Sequence, residues 1–237
     1  MTPETVLGMS PALGTGAAVL LCMVLGYLLG SVNTGILITK AVQHRDIRAQ
    51  GSGNAGMTNV IRTVGKKAGV LTFVGDFLKC VLACLLALTI MHFAAGWSFA
   101  LYTPESRQLL YPVGAACVVG HMFPVFFKFK GGKGVVTASA MMLMADWRVF
   151  LLILATFLLL ALWKRIISLG SVVCAALFPV YALLLYGPVE GFQPNWWRLV
   201  LYALLVGLLC LWKHRGNIQR LLKGEEKPLT SKKEKTS

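Results

Sequence analysis

The sequence predicts an all-α, polytopic membrane helix bundle, and three observations carry that prediction. Of its 237 residues, 57% are hydrophobic and 14% charged, against about 45–50% apolar and about 25% charged residues in a water-soluble domain. The apolar residues lie in long unbroken runs, not in the alternation of a transmembrane barrel strand. Tryptophans and basic residues gather at the ends of those runs, where a bilayer puts them. A water-soluble globule is excluded.

A helix rises about 1.5 Å per residue, so crossing the hydrocarbon core takes about 20 apolar residues. Runs of this kind lie near 16–38, 69–93 and 109–127, followed by a shorter one at 135–145. Three more lie near 149–163, 166–186 and 199–212. Seven transmembrane segments are expected. The fourth is short for a full crossing, so hydropathy alone also accommodates six spans and a partial one. Trp97, Trp147, Trp163, Trp196, Trp197 and Trp212 each sit at an end of a segment, as amphipathic indoles do at the headgroup level.

Charge decides between these counts and sets the orientation. With the N-terminus outside, the inward-facing loops hold Lys40, Arg45, Arg48, Arg62, Lys66 and Lys67, then Lys128, Lys130 and Lys133, then Lys164 and Arg165. The C-terminal stretch adds eight more between Lys213 and Lys235, so 19 of the 23 basic residues face the cytoplasm. Glu4, Glu105, Asp146 and Glu190 fall on the other side. Lys and Arg bias toward the cytoplasmic loops orients helices in this way, and six spans would break the alternation after Lys133. The net charge of +14 is therefore a sided quantity, and a nucleic-acid partner is not needed to explain it. No Lys or Arg precedes Lys40, so the first segment reads as a retained anchor, not a cleaved signal peptide.

One integral membrane domain is expected over 1–223, with a polar basic tail over 224–237 in contact with solvent or lipid headgroups. No internal repeat is evident. Cys22, Cys80, Cys84, Cys117, Cys174 and Cys210 all lie in apolar runs without a CxxC pair, which argues for small buried thiols and against a metal or disulfide framework. Asp76 and Lys79 are one turn apart inside the second segment. A mutual ion pair and a functional role both fit that spacing.

Three inward-facing segments are richer in polar groups than loops require. In DIRAQGSGNAGMTNVIR (46–62), Gly51, Gly53 and Gly56 formally satisfy GxGxxG, but no βαβ unit surrounds them, so a dinucleotide fingerprint is not implied. What remains is local physics. Glycines let backbone amides approach a ligand, Ser52, Asn54, Thr58 and Asn59 supply hydrogen-bonding groups, and Arg62 offers a fork for phosphate or carboxylate. A loop that only rested on anionic lipid would need the charge but not this density of Gly, Ser, Asn and Thr.

GHMFPVFFKFKGGKG (120–134) is not a Walker A loop, because Gly134 follows Lys133 and Phe127 holds the first glycine position. Gly131, Gly132 and Gly134 around Lys133 still form a plausible anion nest, opening into the N-terminus of the next helix. His121 taken alone is a hydrogen-bonded packing residue at a helix end. In the third segment, 212–226, His214 and Asn217 share a helix face, and the basic stripe also suits an amphipathic helix lying on the membrane.

These residues, in this order, resemble the bacterial acyl-phosphate:glycerol-3-phosphate acyltransferase family. GSGN-x-G-x-TN-x-x-R together with GH-x-x-P-x-F-x-x-F-K-GGKG is specific, and the likeness extends to GSVNTG (30–35), GKKAG (65–69) and DFLK (76–79). Asn33 stands where the family often has proline and Met57 where it has a small residue. The resemblance implies a bacterial inner-membrane enzyme of seven helices whose active site faces the cytoplasm. Its reaction would move a fatty acyl group from acyl phosphate to the 1-hydroxyl of sn-glycerol 3-phosphate, giving lysophosphatidate and inorganic phosphate.

By motif position, Ser52, Arg62, Lys133, His214 and Asn217 would be catalytic. Gly51, Gly53, Asn54, Thr58, Asn59, His121, Gly131, Gly132, Gly134 and Glu226 would bind substrate. No metal or cofactor is implied. The partners implied are the two substrates, membrane lipids and the enzyme that makes acyl phosphate. The chemistry suits the residues. Both substrates carry phosphate, which matches basic loops, and an activated donor asks mainly for alignment and charge stabilisation. No histidine is followed at the fifth position by Asp, so the HxxxxD arrangement of acyl-CoA-type acyltransferases is missing. The family's chemistry suggests that the acceptor's own phosphate is the base, with His214 positioning and polarising. The rival reading is a transporter for a phosphorylated anion. Such proteins usually show inverted repeats and midplane sites, whereas the candidate groups here crowd at one interface.

Overall fold

The long apolar runs fold as helices. A computed structural model describes residues 11–226, with side chains from residue 14. The start of the N-terminal lead and the basic tail from 227 onward lie outside the described residues, and with them the expected solvent or headgroup placement of that tail. In order, the α-helices are α1 (Pro11–Ser31), α2 (Thr34–Gln43), α3 (Met57–Thr63), α4 (Lys66–Ala95), α5 (Pro104–Met122), α6 (Val135–Ala145), α7 (Trp147–Lys164), α8 (Ile167–Leu184), α9 (Trp196–Lys213) and α10 (Arg215–Leu222). Among the described residues there is no strand.

Among the described residues, six stretches are long and apolar enough to cross a membrane: α1 with α2, then α4, α5, α7, α8 and α9, with short extensions of α5 and α8. Helix α6 has only 11 residues. At about 1.5 Å per residue it reaches about half of a hydrocarbon core about 30 Å thick.

The first span differs from its expected form. Hydropathy reads through 16–38 without a pause, yet the helix stops at Ser31 and restarts at Thr34. The cause is Asn33, extended at φ −96° and ψ 103°, whose side-chain oxygen accepts from the Ile36 N–H at 3.2 Å. An asparagine that caps a new helix cannot also continue the old one.

The described residues form two compact units, divided between Trp147 and Arg148. In the first, α1 and α5 pack backbone against backbone. A Cβ on Gly30 would lie 2.1 Å from the Cys117 carbonyl oxygen, and one on Gly120 would lie 2.2 Å from that of Tyr27. Small residues at such crossings are how membrane helices gain contact without a hydrophobic driving force. Tyr27 Oη then donates to the Phe123 carbonyl at 2.9 Å, tying the end of α5 to α1. Thr103 and Ser106 cap α5 reciprocally. At that end Arg107 approaches fully buried Asp146 at 3.4 Å.

The second unit holds α7 to α10. Helix α7 buries only Val149 and Ile153, while Leu159 and Leu162 are 70% and 77% exposed. A helix apolar on its outer face belongs against lipid. Gly207 of α9 sits where a Cβ would be 2.6 Å from the Ala175 carbonyl oxygen of α8. All six cysteines are buried free thiols, the small apolar role expected of them.

The α1–α5 crossing is testable by substitution. Gly30→Ala must push the two backbones apart and is expected to cost about 1–3 kcal/mol as overpacking does. Gly16→Ala, with nothing within 4 Å of its Cβ, should leave the thermal midpoint in detergent within about 1 °C of the parent. Equal midpoints for both variants would refute the close crossing.

Candidate active site

The first motif loop is built by its own side chains. Asn59, in α3 and 3% exposed, turns its amide back into the loop. Its nitrogen donates to the carbonyls of Asn54 at 2.9 Å and Gln50 at 3.0 Å, and its oxygen accepts from the Ser52 N–H at 2.9 Å. Gly51 has φ +56° and lies where a Cβ would meet that oxygen at 2.3 Å, so only glycine passes there. Asn59 thus organises the loop from inside. Ser52 and Gly53 are exposed at its tip, Asn54 and Thr58 are half-buried, and Arg62 is exposed on α3.

Asp46 and Arg48 brace the start of this loop. The Asp46 carboxylate accepts from the Arg48 backbone N–H at 2.9 Å and pairs with its guanidinium at 2.7 Å. Arg48 Nη1 also donates to the carbonyls of Phe127 at 2.7 Å and Lys130 at 3.0 Å. One guanidinium therefore joins the first motif loop to the second. The hydrogen bonds from Arg48 hold the Asp46 carboxyl below its usual range.

The second loop is shaped by His121. The Gly132 N–H donates to the His121 carbonyl at 3.1 Å, and a Cβ on Gly132 would lie 2.1 Å from the imidazole Nε2. A Cβ on Gly131 would lie 2.1 Å from the His121 carbonyl oxygen. The paired glycines exist because this histidine occupies the space their side chains would need. His121 is 4% exposed, while Lys133 beyond the glycines is half-buried. Below the loop, Lys79 Nζ lies 2.9 Å from each of three acceptors: the Val32 carbonyl, Asp76 Oδ1 and His121 Nδ1. The Asp76–Lys79 pair expected from the i,i+3 spacing is present, and Thr34 Oγ1 donates to the same carboxylate at 2.8 Å.

The third motif lies in the second unit. His214, at the junction of α9 and α10, is 3% exposed, and its Nδ1 is 2.8 Å from the Cys210 carbonyl. A carbonyl only accepts, so Nδ1 carries a hydrogen. Asn217 donates to Glu226 at 2.7 Å, and the same carboxylate accepts from Ser168 at 2.8 Å and Arg220 at 2.6 Å. Burial pushes the Glu226 carboxyl up, but these three hydrogen bonds outweigh it and leave it below its ordinary value.

A cleft of about 360 Å³ in the first unit is lined by Ile38, Val42, Val64, Ala68 and Leu71 with Lys66 and Lys67. None of the candidate site residues lines it, although Gly65, Lys66, Lys67 and Ala68 belong to GKKAG (65–69).

Comparison with known proteins agrees with the motif pattern. The profile of the family described as glycerol-3-phosphate acyltransferase matches residues 20–224. The chain belongs to the glycerol-3-phosphate acyltransferase family. Two relatives of that name are those of Rhodospirillum rubrum, 41% identical over 94% of each chain, and Methylococcus capsulatus, 39% identical over 87% of this chain and 94% of the relative. An integral membrane glycerol 3-phosphate acyltransferase solved in its glycerol 3-phosphate form is similar at a TM-score of 0.72 and 39% identity, covering 89% of this chain and 94% of that one. Its lysophosphatidic acid form gives 0.70 and 38% identity, with the same coverage. The chain is thus a multi-pass membrane enzyme of the acyltransferase family.

Within the first unit, the structure brings the loop of Ser52, Asn54 and Thr58 together with the loop of Lys133 through Arg48. His214, Asn217 and Glu226 gather in the second unit. The sequence places Arg48 inside the first polar segment but assigns it no role; the Asp46-x-Arg48 spacing is the one signal of its bracing.

The Asp46–Arg48 brace has a pH signature. Folding favours the Asp46 carboxylate, so the contribution is complete above the ordinary carboxylate range and is lost as pH falls through the lowered folded-state value. The thermal midpoint of the parent should exceed that of Asp46→Asn by a constant amount above about pH 5, and the gap should close below about pH 4. A gap that widens in acid would contradict the assignment.

Proposed function

We propose that this acyltransferase moves a fatty acyl group from acyl phosphate to the 1-hydroxyl of glycerol 3-phosphate, at the cytoplasmic face of a bacterial inner membrane. The topology that goes with this reading has seven segments, with α6 as the fourth, the N-terminus outside and the C-terminus inside. It rests on the sidedness of the Lys and Arg residues. The relatives' names supply the acceptor, and the resemblance of the motifs supplies the donor.

The observation that carries the reading is the joining of two glycine-rich basic loops by one arginine, Arg48, in a chain of this family. The hydroxyl oxygen attacks the acyl carbonyl carbon, the bond from that carbon to the phosphate oxygen breaks, and phosphate leaves with the electron pair. The hydroxyl proton passes to a phosphate oxygen of the acceptor. Nothing in this scheme asks for a strong protein base, which suits a site made of donors. Arg62 and Lys133 meet the phosphate charges, and Ser52, Asn54 and Thr58 position the substrates with the amides around Gly51, Gly53, Gly131, Gly132 and Gly134. Asn59 acts through the loop that it stitches. In the second unit, His214 and Asn217 position and polarise, His214 held by the Cys210 carbonyl and Asn217 by Glu226.

Purified protein in detergent, given acyl phosphate and glycerol 3-phosphate, should release phosphate and form lysophosphatidate in equal amounts. Arg62→Ala and Lys133→Ala should each lower turnover about 100-fold or more, as loss of a donor to developing charge does. Phosphate release that does not depend on glycerol 3-phosphate would refute the reaction. Near-normal turnover of His214→Ala would remove that residue from it.

A further inference from the structure

We propose that Asp76, Lys79 and His121 are positioning residues, a buried relay that fixes the path of residues 131–134 and so sets where Lys133 meets a phosphate oxygen. The inference rests on the reading of Lys133 as a phosphate ligand. The three side chains are 2%, 6% and 4% exposed, so they are not placed to bind a bulky substrate themselves. Their bonds link the α1–α2 break and α2 at one end to the loop at the other.

His121 Nδ1 lies 2.9 Å from Lys79 Nζ and 3.5 Å from Asp76 Oδ1, so the ring edge is held by the buried pair. An ammonium only donates, and Lys79 spends its three N–H groups on Val32, Asp76 and His121. With Lys79 as the donor, His121 Nδ1 is the acceptor in that bond. With Nδ1 held at 2.9 Å from Nζ, the opposite edge of the ring is held against Gly132, where a Cβ would be 2.1 Å from Nε2. The backbone of the same histidine accepts from the Gly132 N–H. Ring and backbone together leave residues 131 and 132 one path, and Lys133 follows.

The other end of the relay is anchored on three more elements. Val32 lies in the break between α1 and α2, Thr34 at the start of α2 donates to Asp76, and Thr137 of α6 donates to the Asp76 carbonyl at 3.4 Å. Apolar packing would hold these helices together as well, since a buried ion pair is weak evidence for stability. What apolar packing does not supply is a directional bond that sets the rotation of the imidazole ring.

The test is a double-mutant cycle between His121 and Lys133. His121→Phe keeps the ring volume and removes the acceptor. It should give folded protein with kcat/KM for glycerol 3-phosphate lowered about 10- to 100-fold, the size of a misplacement near 1 Å. His121→Asn, which keeps an acceptor near the Nδ1 position, should recover most of that loss, a rescue that a merely space-filling role would not give. In a Lys133→Ala background, assayed at high enzyme concentration, His121→Phe should cost less than about twofold, since its target is already gone. If His121→Phe does not fold, His121→Gln, with its acceptor moved toward the Nε2 position, takes its place in the same cycle. Losses that multiply, or a His121→Phe protein within twofold of the parent, would overturn the inference. A Lys133→Ala protein with full activity would instead sink the phosphate role of Lys133, and this inference with it.

Discussion

A lysine ammonium inside an apolar helix bundle needs an acceptor for every N–H it carries, and that requirement at Lys79 organises the first unit. An unpaired charge at the centre of a membrane helix costs about 2.5–3.5 kcal/mol on insertion scales. Lys79 avoids the penalty by drawing three groups to itself, a carboxylate, an imidazole and a backbone carbonyl. The carbonyl belongs to Val32 and is available because the first span breaks there. The imidazole belongs to His121, whose ring supports the second motif loop. The break, the ion pair and the loop are parts of one arrangement.

A site for two phosphate-bearing substrates gains most from donors that need no reorganisation when charge develops. On the proposed reading, the loops meet that need by dividing the work. Buried polar groups such as Asn59 spend their hydrogen-bonding capacity on the loop backbone, and Arg48 spends its guanidinium on joining the two loops. Exposed groups, among them Ser52 and Arg62, are left facing outward. The glycines complete the arrangement for a steric reason: at Gly51 and Gly132 a Cβ would meet the side chain that shapes the loop.

Six of the seven expected spans were legible in the sequence because length and apolar composition are the whole of that signal, and each of these long helices lies within a few residues of its expected run, while the fourth expected segment is the 11-residue α6. The Asp76–Lys79 pair was legible because it is local, one turn apart. The family was legible through the pattern of its motifs, although pattern did not separate Asn59 and His121, which are buried and hold their loops, from Ser52 and Arg62 at the surface. The bonds joining distant parts were not legible. Lys79 and His121 are 42 residues apart, and Arg48 reaches carbonyls 79 and 82 residues away. A backbone carbonyl is the same in every residue, so no side-chain pattern announces it. The break at Asn33 was hidden for a related reason, since one capping residue hardly changes the hydropathy of a run.

Hydrogen–deuterium exchange on the full chain in detergent, with glycerol 3-phosphate or with glycerol, tests most directly whether these loops hold a phosphate-bearing substrate. The account predicts that glycerol 3-phosphate slows exchange at residues 51–54 and 131–134 while glycerol leaves both unchanged. Equal behaviour with the two compounds, or protection confined to other segments, would contradict it.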